Sequence, residues 1–278
     1  MTTWIITPAT APHRFTTGRI SGADVALVDL EDSVAPHLKA RARRHARDFF
    51  HPTPHVTLGV RINSLTSREA IHDLTALSRY PVKPDLVLIP KTESARDIDI
   101  VAAALDTTDY TPTLYALIET PRAVQELPTI ITPRLGGLLF GAADYAQACG
   151  CALTWEPLLY ARSRLTACAA QAGIPAIDSP HFALADHQGL REEARKARAL
   201  GFTGKSAVHP RQIPVITAEF RPTPEEITAA RAAVAAAQND TAGIVCADGH
   251  MVGAPLLARA HTVLTQAGMR PATTKDTP

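Results

Sequence analysis

The chain of 278 residues lacks any long hydrophobic run. Its longest apolar stretches, such as Leu86 to Pro90 and Gly136 to Gly141, fall far short of the roughly 20 residues a bilayer-crossing helix needs, so no membrane segment is expected. An excess of one charge is missing too. With 28 Lys and Arg against 27 Asp and Glu the net charge is +1, which gives no general attraction for nucleic acid. The one basic run, Lys39 to Arg47, has no interleaved aromatic residues and reads as a solvated helix face. Cysteine is scarce. Cys149, Cys151, Cys168 and Cys246 show no paired zinc spacing, and the C-x-C at 149–151 is too tight for the usual C-x-x-C hook, so packing is their expected role. Met1 to Thr10 has neither a basic n-region nor a long apolar h-region, so a signal peptide is not expected and a cytoplasmic location is.

What the chain does have is a repeat of short apolar segments about 30 residues apart, the size of a βα unit. Eight can be read: Trp4–Thr7, Val25–Leu30, Thr57–Ile62, Leu86–Pro90, Leu114–Ile118, Gly137–Phe140, Ala176–Asp178 and Gly204–Val208. Several are apolar throughout, as parallel strands are when helices cover one face and a packed interior the other. Helical patterns lie between them at Pro36–Phe49, Ser67–Ser78, Ser94–Leu105, Pro121–Ile130, Trp155–Ala172 and Asp186–Leu200. The expected fold is therefore α/β, a TIM (β/α)₈ barrel with a C-terminal helical arm. The expected divisions are a barrel over 1–222, an arm or lid over 223–268 and a disordered tail over 269–278. The arm holds an Ala-rich helix at Pro224–Gln238, a short extended piece at Gly243–Cys246, a turn at Ala247 to His250 and a last helix at Pro255–Ala267.

In a barrel enzyme the active site lies at the carboxyl ends of the strands, and here the polar residues gather at those ends. They are Glu31 and Asp32, Arg61, Lys91, Glu119, Asp144 after Gly141-Ala142-Ala143, Asp178 and His209. Glu119 and Asp144 arrive from adjacent strands. Without a counter-ion they would repel, and one would retain a proton. A hard divalent ion, Mg²⁺ or alternatively Mn²⁺, removes that conflict and leaves positions for water and an α-oxo or α-hydroxy acid. The structural alternative is a salt bridge from Glu119 to Arg122 or Arg61. Arg61 is the expected oxyanion stabiliser, or else a structural partner of Glu31 or Asp32. Gly141, Ala142 and Ala143 leave room for backbone N–H groups to meet a substrate carboxylate. Lys91, Asp178 and His209 read equally as rim supports. Replacing Arg61, Glu119 or Asp144 by alanine is expected to remove turnover and leave folding largely intact.

These residues, in this order, resemble the HpcH/HpaI aldolase and citrate lyase β-subunit family, most closely its citrate lyase β-subunit and malyl- or citramalyl-CoA lyase branch. The blocks that carry the resemblance are ADVALVDLEDSVAPHLKARAR (23–43), VRIN (60–63), LVLIPKTESARDI (86–98), ALIETPRAV (116–124), LLFGAADYA (138–146), LYARSRLTACAAQAGIPAIDSP (159–180) and GFTGKSAVHPRQI (201–213). The resemblance implies Mg²⁺ on Glu119 and Asp144, Arg61 polarising the substrate carbonyl or enolate, and Glu31 with Asp32 supporting it. It implies carbon–carbon cleavage or formation beside a 2-oxo or hydroxy carboxylate of citryl-, malyl- or citramalyl-thioester type, with CoA or a carrier protein bearing the thioester. It also implies a homotrimer or homohexamer whose arm covers a neighbouring site. Two departures stand out. Relatives carry D-G-x-M-[IV]-D-x-P in the arm, whereas Asp248-Gly249-His250-Met251-Val252-Gly253-Ala254-Pro255 has glycine at the second aspartate, leaving Asp248 as a nearby candidate. TPATAPHRF (7–15) also lacks the Val-Pro-Gly start. The glycine makes a CoA-independent aldolase for pyruvate or another free 2-oxo acid more attractive; a catalytically inactive binding or assembly subunit is the other alternative, but its signature, damage to the metal pair, is absent.

Overall fold

The computed structural model describes residues 2–238, 245–247 and 250–269. Eight parallel strands close a barrel in chain order: β1 (Thr3–Pro8), β2 (Val25–Asp29), β3 (Thr57–Arg61), β4 (Leu86–Ile89), β5 (Thr113–Ile118), β6 (Leu135–Phe140), β7 (Ala176–Asp178) and β8 (Gly204–Ala207). The ring is sealed where β1 pairs with β8, Trp4 lying opposite Ser206. The barrel meets the TIM expectation, and each apolar segment becomes a strand to within two residues at either end. Two compact units divide the chain, Met1–Phe220 and Arg221–Pro278. In the second, the helices Pro224–Gln238 and Ala254–Gln266 share a small core containing Val234, Val252 and Leu264, with an antiparallel pair of strands, β9 (Val245–Ala247) and β10 (His250–Val252). Apart from Met269, the expected tail lies outside the described residues, and so does Asp248. Among the described residues no helix is long and apolar enough to cross a membrane.

Alternation decides which side chains meet inside the ring. In β2, Val25 and Leu27 face the interior while Ala26 and Val28 pack against the helices, so Asp29, two places further on, faces the interior too. The interior is plugged at the amino-terminal end by aromatic rings, Trp4 and Tyr115 meeting edge to face at 4.8 Å. Glycine makes room for them. A Cβ on Gly137 of β6 would lie 2.2 Å from the Tyr115 ring, and one on Gly59 of β3 would lie 2.4 Å from Leu27. The glycines of β3 and β6 thus let Leu27 of β2 and Tyr115 of β5 fill the floor.

Three helices had no clear signature in the sequence: Phe15–Arg19, Ala142–Cys149 and Ile213–Phe220. The second matters for function. Asp144 was expected at a strand end, but it sits in the first turn of the helix Ala142–Cys149, which begins immediately after Gly141. The expected helix Pro121–Ile130 is broken into Pro121–Gln125 and Leu127–Ile130, because Pro128 cannot donate the backbone bond that would carry one into the other.

Gly137→Ala should cost roughly 1–3 kcal/mol by forcing the Tyr115 ring off its seat. Urea unfolding measures the cost, and Tyr115→Leu in the same background should recover part of it. An unchanged unfolding midpoint in the single variant would mean that the floor is loosely packed.

Candidate active site

The carboxyl end of the barrel opens into a cavity of about 530 Å³, walled by Asp29, Arg61, Glu119, Gly141 and Asp144, with Phe182 on its edge. Asp29 and Arg61 are register partners on neighbouring strands and point the same way. Arg61 Nε and Nη2 donate to the two Asp29 oxygens at 2.7 and 2.8 Å, a fork-to-fork pair. Asp29 is wholly buried. Burial alone would push its carboxyl up, but the charge and hydrogen bonds of Arg61, with donors from Ser33 and the Glu31 amide, hold it below the usual carboxylate range. The principal anchor of Arg61 is therefore Asp29, not the expected Glu31 and Asp32. Those two sit farther out, their oxygens 3.2 and 3.6 Å from Arg61 Nη1. Strand parity was the signal that could have found Asp29, since it continues the inward set of Val25 and Leu27.

This anchor corrects the expectation that Arg61→Ala leaves folding intact. Alanine would strand a buried carboxylate beneath the cavity, a loss of roughly 3–5 kcal/mol. No comparable partner depends on Asp144, whose side chain is one-third exposed and lies 3.9 Å from Lys91 Nζ.

Glu119 extends β5 by one residue into the mouth and is almost fully buried. Neither expected salt bridge forms, because Arg122 turns outward to Glu93 at 3.6 Å and Arg61 is committed to Asp29. Instead Glu119 Oε1 accepts the backbone N–H of Lys91 at 2.8 Å. Oε2 lies against Gly141, where a Cβ would come within 2.6 Å of it, and among the described residues no donor reaches it. Burial, and then repulsion from Glu31 and Asp144, push the Glu119 carboxyl up to about 8. Burial likewise raises Glu31, although Lys91 Nζ donates to its Oε1 at 2.8 Å. A crowded carboxylate with a free oxygen, lining the same cavity as a second carboxylate, has the chemistry of a hard-cation site. Among the described residues no three His, Cys, Asp or Glu side chains form a closed cage. A donor set of two carboxylates suits an ion that keeps water and substrate oxygens in its shell better than it suits zinc.

Ala142 and Ala143 also wall the cavity. They open the helix Ala142–Cys149, which has no side-chain cap, so its first-turn N–H groups and the positive end of its dipole face the cavity. Lys91 has φ +50°, a left-handed backbone rare outside glycine. Two further candidates stand elsewhere. Asp178 points outward from β7 and is wholly buried between Lys205 Nζ at 2.7 Å and Arg162 Nε at 2.9 Å, a structural cluster behind the strands. His209 does not line the cavity. Its Nδ1 accepts the Arg211 N–H at 3.1 Å, and Gln212 Oε1 accepts the His209 N–H at 3.2 Å, closing a turn. Arg14, from the segment after β1, reaches the cavity edge without having been singled out in the sequence.

A (β/α)₈ barrel that gathers acids and one anchored arginine at its mouth is the architecture of a carbon–carbon bond lyase, and a family model described as C-C_Bond_Lyase of the TIM-Barrel fold matches residues 160–269. The chain belongs to the HpcH/HpaI aldolase/citrate lyase family, whose model matches residues 4–210. Human mitochondrial citramalyl-CoA lyase is 31% identical over 270 residues, which span 88% of this chain and 78% of that protein. The crystal structure of RipC from Yersinia pestis is 41% identical, covers 82% of this chain and 98% of its own, and has a TM-score of 0.72. CitE from Mycobacterium tuberculosis, solved in complex with magnesium, acetoacetate and coenzyme A, is 32% identical, covers 96% and 98% of the two chains, and has a TM-score of 0.85.

The raised Glu119 carboxyl sets a pH dependence. The folded, metal-free protein keeps a proton up to about 8 that the unfolded chain releases near 4.5. Between those values the native state binds more protons than the unfolded state, so stability falls as pH rises. Melting curves in chelator should show the wild-type midpoint dropping across this window relative to Glu119→Gln. Mg²⁺ should raise the wild-type midpoint more above the window than inside it. A wild-type midpoint that climbs with pH relative to the glutamine variant would contradict the assignment.

Proposed function

We propose that the chain is a Mg²⁺-dependent carbon–carbon lyase that cleaves or forms a bond next to a 2-oxo or hydroxy carboxylate, of the citryl-, malyl- or citramalyl-thioester type, through an enolate. The observation that carries this reading is the free Oε2 of Glu119 in the same cavity that Asp144 and Arg61 wall. Glu119 and Asp144 would hold the cation, which when bound supplies Lewis-acid stabilisation to oxygens that gain negative charge.

The rest of the chemistry falls to the chain's own groups. Arg61 stays charged and is held in one orientation by Asp29, so its guanidinium meets a developing oxyanion with little reorganisation. The first-turn amides at Ala142 and Ala143 bind and orient a substrate carboxylate. In cleavage the hydroxyl proton leaves, a carbonyl forms on one fragment, and the bonding pair passes to the other as an enolate that must then be protonated. Relatives with aspartate at the place of Gly253 have a group for that last step, and here it falls to water or another side chain. Gly253 is not forced by crowding, for a Cβ there would meet only Pro255 at 4.0 Å among the described residues.

That glycine favours a second reading, a CoA-independent aldolase for pyruvate or another free 2-oxo acid. Inhibition of turnover by free CoA would speak for the thioester substrate, and indifference to CoA for the free acid. The family resemblance further supports a cytoplasmic homotrimer or homohexamer, with the barrel over 1–222 and the arm over 223–268, and size determination by light scattering tests the assembly.

Glu119→Ala and Asp144→Ala should each lower turnover of citramalyl-CoA by roughly 10²–10³-fold, as loss of an oxyanion stabiliser does. Asp144→Ala should melt close to wild type, whereas Arg61→Ala should lose both activity and stability. A folded Asp144→Ala protein with wild-type turnover would remove Asp144 from the reaction.

A further inference from the structure

Lys91 stands in a left-handed turn just after β4, at φ +50°. Only one other non-glycine residue among those described, His55, has a positive φ. A lysine in that conformation is strained, so the surrounding contacts must hold it there. The buried Thr92 hydroxyl closes the turn by donating to the Ile89 carbonyl at 2.8 Å. Both polar ends of Lys91 then go to the acid cluster. Its backbone N–H fixes Glu119 Oε1 at 2.8 Å. Its ammonium lies 2.8 Å from Glu31 and 3.9 Å from both Asp32 and Asp144.

Five acids, Asp29, Glu31, Asp32, Glu119 and Asp144, thus surround two cations that pair with their side chains, Arg61 and Lys91, while the ammonium of Lys39, bound to the Leu30 and Glu31 carbonyls, acts on Asp29, Glu31 and Asp32 through its field. Arg61 is committed to Asp29, so the ammonium of Lys91 is the positive charge nearest Asp144, with Arg14 on the exposed rim. Two consequences follow from its place. A cation entering between Glu119 and Asp144 is repelled by the ammonium, and an anionic substrate entering the same space is attracted by it.

We propose that Lys91 sets the charge balance of this site: its amide holds one Glu119 oxygen and leaves the other for the metal, while its ammonium weakens metal binding and strengthens binding of the substrate anion. This rests on the metal-site reading above. At about 4 Å, with screening by solvent and partial exposure of the side chain, a unit charge changes affinity by about ten-fold.

The test uses calorimetric titration of the full chain with Mg²⁺ alone, and of the Mg²⁺-loaded protein with pyruvate. Asparagine and glycine both accept a left-handed backbone, so Lys91→Asn and Lys91→Gly keep the turn and its N–H while removing the charge. Both should bind Mg²⁺ about ten-fold more tightly than wild type and pyruvate about ten-fold more weakly. Lys91→Arg should match wild type in both titrations. A merely structural role would weaken both ligands together. Wild-type or weaker Mg²⁺ affinity in the Asn and Gly variants, with Glu119→Gln failing to bind Mg²⁺, overturns the role of Lys91 alone. Mg²⁺ binding to Glu119→Gln at wild-type affinity overturns the metal site and this proposal with it.

Discussion

Repulsion among carboxylates is the constraint around which the mouth of this barrel is arranged. Placing Glu31, Glu119 and Asp144 at one opening costs free energy that no packing nearby recovers, and each surrounding device answers that cost. Arg61 is clamped upright by a buried acid, Lys91 adopts an unfavourable backbone to face three acids at once, and Gly141 gives up its side chain so that Glu119 can stand against the next strand. Such an arrangement destabilises the empty site and stabilises the occupied one. Local conflict concentrated at one rim is the pattern expected where function has overridden stability.

Much of this was legible in the chain. The repeat of apolar segments fixed eight strands because parallel strands buried on both faces leave little room for polar residues, and the rim acids and Arg61 followed from where those segments end. What escaped notice did so for physical reasons. Asp29 reads as the one acid inside the apolar segment Val25–Leu30, and only the parity of β2 turns it inward to meet Arg61. Asp178 ends a strand as Glu119 follows one, but opposite parity turns it outward to Lys205 and Arg162. A helix of eight residues starting at Ala142 is too short to show a periodic face, so Asp144 reads as a strand-end residue rather than as part of a helix start. The partner of Glu119 could not be read at all, because it is a backbone amide in a turn whose conformation no residue type announces.

Under the proposed reading, Gly253 and the segment 7–15 bear on how a substrate is carried and protonated, and the acids, Arg61 and the helix start at Ala142 on how charge is held, although Pro8 and Arg14 of that segment line the same cavity. Members of one barrel family can exchange the first set without disturbing the second, because loops and strand ends are held by different contacts.

The aromatic floor carries a consequence for traffic. With Trp4 and Tyr115 set edge to face across the amino-terminal end, the chamber is blind, and whatever enters by the rim must leave by it. A molecule split inside such a vessel departs in sequence: the fragment nearer the opening first, the one lodged deeper only afterwards.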